Sequence, residues 1–190
     1  MSIKYNSPVI LTFALTCTAV FFLDKFLAGT LMGFFSIGTS VNFMNPLFIF
    51  SLFSHVIGHA SIDHLLGNMT FILLLGPIIE EKYGSKFTLF MILITSLITG
   101  LLYITFFDTG LLGASGIVFM LILLVSFTNT NGGQIPLTFI LVALLFVGKE
   151  VIQIMGNDQV SQFAHIIGGV CGSAFGFLGN KKSSGHNTIA

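Results

Sequence analysis

A long uncharged run is the feature that most constrains this chain: residues 87–107 are mostly apolar and contain no charged side chain. An α-helix needs about 20 mostly apolar residues to cross a bilayer, and this run has that length. Similar runs fill most of the sequence, which is 54% hydrophobic and only 7% charged, whereas soluble domains carry about 25% charged residues. We therefore exclude a cytosolic domain, a disordered tail and a nucleic-acid binder that relies on basic charge.

Six mostly apolar segments, of which the fourth is short, predict an all-α, polytopic membrane protein with six transmembrane helices in one bundle. The predicted spans cover residues 8–27, 62–79, 87–107, 115–127, 135–155 and 160–179. We expect residues 1–190 to form a single membrane domain, with short tails at about 1–7 and 180–190 and no cleaved signal peptide. Residues 28–61 are uncharged and rich in Phe and Gly, so we expect this first loop to lie in the membrane interface or to re-enter the membrane against protein.

The lysines predict how the chain is oriented. With a cytoplasmic N-terminus, five lysines fall on the cytoplasmic side and two on the outer side, as the positive-inside rule favours. The first group is Lys4, Lys82, Lys86, Lys181 and Lys182, and the second is Lys25 and Lys149. We therefore expect both termini in the cytoplasm, with the second, fourth and sixth spans running from the outside inward.

Polar side chains fall at a common depth in those three parallel spans. The distance to the inner end of the span is 16 residues for His64, 14 for Ser115 and 16 for His165. At about 1.5 Å per residue these distances are about 21–24 Å, within an apolar slab about 30 Å thick. Asn68 follows His64 by one helical turn on the same face. Because polar groups are costly inside spans, their shared level indicates a functional site.

A glycine stripe suggests how the helices meet. Gly168, Gly172 and Gly176 recur every four residues and so line one face of the sixth span. Small residues at this spacing let helix backbones approach closely in lipid. His165 lies three residues before the stripe, on the same side. A packing stripe without chemistry is the alternative interpretation.

These residues support nucleophilic catalysis. A serine hydroxyl is a weak nucleophile until a base removes its proton, and His165 is the natural base for Ser115. Attack on a peptide carbonyl creates an oxyanion, for which the backbone N–H of Ser115 and the side chains of His64 and Asn68 are candidate donors. Since no carboxylate is well placed to complete a triad, we expect a Ser–His dyad.

The other polar residues have simpler interpretations. We expect His55 and His59 to support the loop or to bridge water. We expect Glu80, Glu81 and Lys82 to be charges at the end of a span that snorkel to the membrane interface. Three histidines, His55, His59 and His64, could in principle bind a metal ion. The zinc-protease helix motif needs a glutamate directly after its first histidine, and Val56 stands there, so we predict no metal.

Three segments resemble the rhomboid family of intramembrane serine proteases. Residues 55–68 (HVIGHASIDHLLGN) are similar to the second-helix signature of that family, residues 113–116 (GASG) to its nucleophile motif, and residues 164–172 (AHIIGGVCG) to its sixth-helix motif. The order of the motifs in a six-span chain makes the combination specific. There are departures: the first loop lacks the Trp-Arg pair frequent in the family, and Phe119 replaces a frequent tyrosine.

The resemblance implies the hydrolysis of transmembrane protein substrates near the outer end of a helix, in a water-filled cavity within the lipid bilayer. Ser115 and His165 would be catalytic, and His64, Asn68 and the backbone of Ser115 would stabilise the oxyanion. The supporting residues would be Gly113, Gly116, Phe119, His59, Gly168 and Gly172. The resemblance implies no cofactor and fits a bacterial plasma membrane, while the oligomeric state stays open.

Two other functions are open to a chain of this kind. A catalytically silent rhomboid-like protein that binds transmembrane helices would have lost its key serine or histidine, and both are present here. A small transporter or channel would show matched repeats with broken helices, or ionisable residues along a path. No such repeat is visible, and the inner half of the predicted bundle is nearly free of ionisable groups. We therefore favour an active intramembrane serine endopeptidase.

Overall fold

A computed structural model describes residues 4–128, 135–154 and 159–184, and in these ranges the regular structure is helical apart from one isolated β-bridge. The helices are α1 (Pro8–Phe26), α2 (Pro46–Ser54), α3 (Ile62–Tyr83), α4 (Ser85–Phe106), α5 (Ser115–Val125), α6 (Leu137–Ile154) and α7 (Gln159–Ser184). The predicted all-α membrane bundle is confirmed, since α1 and α3 to α7 follow the six predicted spans in order. Among the described residues, α1, α3, α4 and Gln162–Gly179 within α7 are long and apolar enough to cross a membrane.

The two largest differences between the helices and the predicted spans are at the ends of α3 and α7, and the other ends agree to within two residues. Helix α3 continues beyond residue 79 to Tyr83, and α7 continues to Ser184, so the predicted C-terminal tail begins inside a helix. The outer parts of both predicted tails, residues 1–3 and 185–190, lie outside the described residues, as does residue 155. The first loop contains a single 3-10 turn, Met32–Phe34, and the short helix α2.

Helix α5 lies at the centre of the bundle. It packs most extensively against α7 and also contacts α3, α4 and α6. Its side chains Ile117, Met120, Leu121 and Leu124 are fully buried within the main apolar cluster of the described residues. The short α5, most of whose residues are buried, therefore places its first residue, Ser115, among these neighbouring helices.

Charged side chains join the helices at the other end of α5. Glu80 is buried, and its carboxylate accepts hydrogen bonds from the backbone amides of Val9 (3.1 Å) and Ile10 (3.0 Å) and from the hydroxyl of Ser85 (2.7 Å). The expectation that the Glu80 carboxylate snorkels to the membrane interface is therefore wrong, because the carboxylate is buried and bonded to protein donors. The first amides of a helix have no partner inside it, and here the carboxylate satisfies those of α1.

Lys82 forms the second connection at this end. Its ammonium donates hydrogen bonds to the backbone carbonyls of Phe127 and of Thr128, the latter at 2.8 Å. These carbonyls follow the end of α5, where a positive charge also complements the helix dipole. Glu80 thus ties α3 to the start of α1, and Lys82 ties α3 to the end of α5.

Candidate active site

The segment that leads into α5 is shaped by Gly113. This residue has φ of +121°, a conformation that favours glycine, and its amide donates a 2.9 Å hydrogen bond to the carbonyl of His55. A Cβ atom on Gly113 would lie 2.6 Å from Cε1 of His64, so the imidazole of His64 packs directly against this backbone. Two residues later Ser115 begins α5, and its amide is among those without a partner inside the helix.

Helices α5 and α7 touch through their backbones. A Cβ atom on Gly168 would lie 2.0 Å from the carbonyl oxygen of Gly116, and one on Gly172 would lie 2.2 Å from that of Met120. On the N-terminal side of the contact, a Cβ on Gly116 would lie 3.3 Å from the carbonyl oxygen of Ala164. The first turn of α5 therefore packs against α7 both before and after His165.

The imidazole of His165 lies against the ring of Phe119. The two ring centroids are 4.1 Å apart with an interplanar angle of 38°. Phe119 is one helical turn after Ser115 and so shares its face of α5. The contact with Phe119 thus places the half-buried His165 at the face of α5 on which the half-buried Ser115 lies.

His59 orients the side chain of Asn68. Nδ1 of His59 lies 2.9 Å from the carbonyl oxygen of Ile57, which can only accept, so Nδ1 carries the proton. Nε2 is then an acceptor for the side-chain amide of Asn68, at 3.0 Å. Asn68 is buried, and the bond to His59 uses one of the two hydrogens of its amide group. The second hydrogen of the Asn68 amide group can therefore donate a further hydrogen bond.

Desolvation keeps the loop histidines neutral. Burial lowers the pKa of His59 to about 4, with a smaller lowering from the nearby His64, whose ring centroid is 5.0 Å away. Burial likewise lowers the pKa of His55 to about 4. A neutral His59 is required for the bond to Asn68, since protonated imidazole has no acceptor nitrogen.

The role of His55 could not be found from the sequence. The expectation of general loop support omits its specific contact, which is the backbone bond from Gly113 to the carbonyl of His55. The ring of His55 is also buried, with Nδ1 3.2 Å from the carbonyl oxygen of Ser51. Within the described residues, no group of three or more His, Cys, Asp or Glu side chains is arranged to hold a metal ion.

Comparison with known proteins identifies the family of this chain. A family model described as Rhomboid domain matches residues 46–182, which is most of the chain. The chain belongs to the rhomboid family. It is also similar to the Rhomboid protease GlpG of Haemophilus influenzae, with 28% identity over 133 residues that cover 67% of this chain and 68% of that protein. The family resemblance predicted from the three motifs is confirmed.

Membership of the rhomboid family makes this chain a membrane protein of an intramembrane protease family. The matched region runs from α2 into α7 and contains Ser115, His165, His64 and Asn68. It also contains the two glycine contacts between α5 and α7.

Proposed function

We propose that this rhomboid-family chain is an active intramembrane serine endopeptidase, with Ser115 as nucleophile and His165 as general base. The observation that carries the proposal is the contact between the first turn of α5 and the part of α7 around His165, with Phe119 against the imidazole. A nucleophile and its base must come within hydrogen-bond reach, and the glycine-mediated helix contact supports that approach.

The reaction follows from these two groups. Neutral His165 takes the proton of the Ser115 hydroxyl as the oxygen attacks the scissile carbonyl carbon. The tetrahedral intermediate then collapses to an acyl ester of Ser115, and the imidazolium of His165 gives its proton to the departing amine. A water molecule, deprotonated by His165, attacks the ester, and its collapse releases the carboxyl product and restores the serine hydroxyl. These steps need no metal ion or cofactor.

The oxyanion of each tetrahedral intermediate needs hydrogen-bond donors. We assign this role to the backbone amide of Ser115 at the start of α5 and to the side chains of His64 and Asn68. The bond from Asn68 to His59 supports the assignment, because it turns the amide nitrogen of Asn68, rather than its oxygen, toward the loop histidines. The packing of His64 on Gly113 supports it as well, since Gly113 is two residues from the nucleophile.

The short length of α5 supports a substrate in the membrane. Its 11 residues extend only about 16 Å, roughly half of a 30 Å hydrocarbon layer. If the far end of α5 reaches one membrane surface, Ser115 lies within the layer, below the other surface. The substrates that fit this position are transmembrane helices of other proteins, which can reach the site from the lipid.

We further propose that the chain forms one domain in a bacterial plasma membrane with both termini in the cytoplasm, as the lysine distribution favours. Fusions of a reporter that is active only in the cytoplasm to residue 4 or to residue 184 test the orientation. Activity of both fusions is expected, and inactivity of either one contradicts the proposed topology.

The decisive test uses purified protein in proteoliposomes with a fluorogenic transmembrane peptide. We expect Ser115→Ala and His165→Ala each to lower kcat by about 10³-fold or more, with the fold retained. Ser126→Ala and Ser173→Ala are matched controls, because these serines bond to carbonyls of their own helices, α5 and α7. Unchanged turnover by Ser115→Ala would overturn the proposal. Binding of the peptide without cleavage by the wild type would instead identify a silent helix-binding protein.

A further inference from the structure

Asp24 is a buried carboxylate that the proposed chemistry does not use. It lies near the end of α1 with 4% of its surface exposed. Its Oδ1 accepts hydrogen bonds from the backbone amides of Leu31 (2.9 Å) and Met32 (3.1 Å), and its main-chain carbonyl accepts one from Gly29 (2.9 Å). Asp24 therefore holds the start of the first loop through both its side chain and its backbone.

The first loop contains no charge of its own. Residues 28–61 include no Lys, Arg, Asp or Glu, so a charged anchor for this loop must come from a neighbouring element. Hydrogen bonds from backbone amides to a carboxylate are stronger than those between neutral groups. Asp24 supplies such bonds from α1, at the point where the loop enters its 3-10 turn.

The loop then packs against α2 and the residues after it. The hydroxyl of Ser54 donates a 2.6 Å hydrogen bond to the carbonyl of Phe34. The carbonyl oxygen of Phe35 lies 2.0 Å from the position that a Cβ atom on Gly58 would take. Gly58 directly precedes His59, so the loop anchored by Asp24 lies against the backbone beside the histidine that orients Asn68.

The loop next reaches the segment that carries the nucleophile. Ile37 and Leu111 form an antiparallel bridge with two backbone hydrogen bonds, of 2.9 and 3.0 Å. The Ile37 side chain is fully buried. Leu111 is two residues before Gly113, against which His64 packs, and four residues before Ser115. The loop and the entry to α5 are therefore one connected backbone structure.

We propose that Asp24 is a positioning residue for the proposed proteolysis, acting through the Ile37–Leu111 pair on the segment that places Ser115 and His64. The inference rests on the proposed function, but Asp24 itself touches no reacting group. Loss of its carboxylate releases the amides of Leu31 and Met32, loosens the Ile37–Leu111 bridge and leaves Ser115 less precisely placed.

The test compares Asp24→Ala, Asp24→Asn and Asp108→Ala in proteoliposomes, with active sites titrated by a fluorophosphonate that reacts with activated serines. Asp108→Ala is the control, since this carboxylate is exposed and close in sequence to Leu111. For Asp24→Ala we expect kcat per titrated site to fall about tenfold with little change in KM, and amide exchange at Ile37 and Leu111 to accelerate. Asp24→Asn keeps an acceptor oxygen and should stay within about threefold of the wild type.

A purely structural role gives a different result. It lowers the melting temperature and the number of titratable sites, but leaves kcat per site unchanged, and that result in Asp24→Ala would overturn the inference. If Asp24→Ala does not fold, Ser54→Ala decides, since it removes the next anchor of the same loop and should show the same loss per site. A wild type without turnover or labelling refutes the proposed function instead, while the exchange measurement still tests the anchor.

Discussion

The two ends of the helix bundle around α5 are stabilised by different kinds of group. At the site end, where Ser115 begins the helix, the contacts are backbone glycines and the neutral pair of His59 and Asn68. At the far end, the stabilising groups carry full charges. Lys82 donates to the carbonyls after α5, and Glu80 accepts from the first amides of α1.

The difference follows from what each end has to do. A fixed charge at a helix terminus complements the helix dipole and satisfies groups that the helix leaves unpaired, so it suits an end where only stability matters. At the site end, negative charge appears on the substrate only in the transition state. Neutral donors oriented in advance stabilise that charge. We therefore expect substitutions at the far end to affect stability alone, and those at the site end to affect turnover as well.

The largest effect should come from placing alanine at Gly168 of α7, and the same change at Gly179, 11 residues later in α7, is the comparison. The Cβ of Gly168→Ala would meet the backbone oxygen of Gly116, which cannot move without separating the helices, whereas that of Gly179→Ala would lie 2.8 Å from the ring edge of Tyr83, which can rotate. We expect Gly168→Ala to lose about 3 kcal/mol of unfolding free energy together with peptide cleavage. Gly179→Ala should change the unfolding free energy by less than about 1 kcal/mol.

Denaturant titration in detergent micelles and cleavage in proteoliposomes measure both variants. Equal losses in Gly168→Ala and Gly179→Ala would show that the tight backbone contact is not special to the site end.

The next effect is the loss of the buried carboxylate at the far end. Glu80→Ala leaves the amides of Val9 and Ile10 without their acceptor, and we expect a loss of about 2 kcal/mol in unfolding free energy. Turnover per titrated active site should stay at the wild-type level, because none of these groups is near Ser115. Glu81→Ala removes the adjacent exposed acid and should change stability by less than about 0.5 kcal/mol. A fall in turnover per site in Glu80→Ala contradicts the separation of roles.

Acid should destabilise the site end. The pKa of His59 is about 4 in the folded protein, below its ordinary value of 6.5, so the unfolded chain binds more protons between these values. The unfolding free energy should therefore fall as the pH drops from 6.5 toward 4, by an amount on the order of 1–2 kcal/mol. Protonation of His59 in the folded protein also removes the acceptor for Asn68, so cleavage should decline as the pH approaches 4.

The His59→Gln variant checks this assignment, because it lacks the titrating group. We expect a shallower dependence of the unfolding free energy on pH, with the remainder due in part to His55, whose pKa is also about 4. An unchanged slope in His59→Gln would show that other groups control the acid response.

The site end could be predicted from the sequence much better than the far end. The glycines of α7 recur at a helical spacing that indicates close helix packing. Ser115 and His165 are polar residues inside apolar spans, where their energetic cost indicates a function. The length of each apolar run similarly predicts the helices to within a few residues. These signals are local, so they can be recognised without knowing which segments meet in space.

The remaining contacts use backbone groups, which leave no local signal. Two of the three partners of Glu80 are amides of residues about 70 positions earlier, and every residue except proline has such an amide. The bonds between Ile37 and Leu111 and between Gly113 and His55 are of the same kind. Glu80 could thus be recognised as a charge at the end of a span, but its burial could not.

The smallest expected effect concerns Lys82 and sharpens the comparison at the far end. Its single ammonium donates to two carbonyls that follow α5, so a lysine makes two contacts here without the forked geometry of arginine. We expect Lys82→Met to lose about 1 kcal/mol of unfolding free energy and Lys82→Arg to lose less than about 0.5 kcal/mol. Lys86→Met, which removes an exposed charge on the next helix, is the matched control. A lower kcat per titrated site in Lys82→Met, with unchanged stability, would show that the far end of α5 affects the position of Ser115. The proposed difference between an end that only stabilises the fold and an end that carries the chemistry would then be wrong.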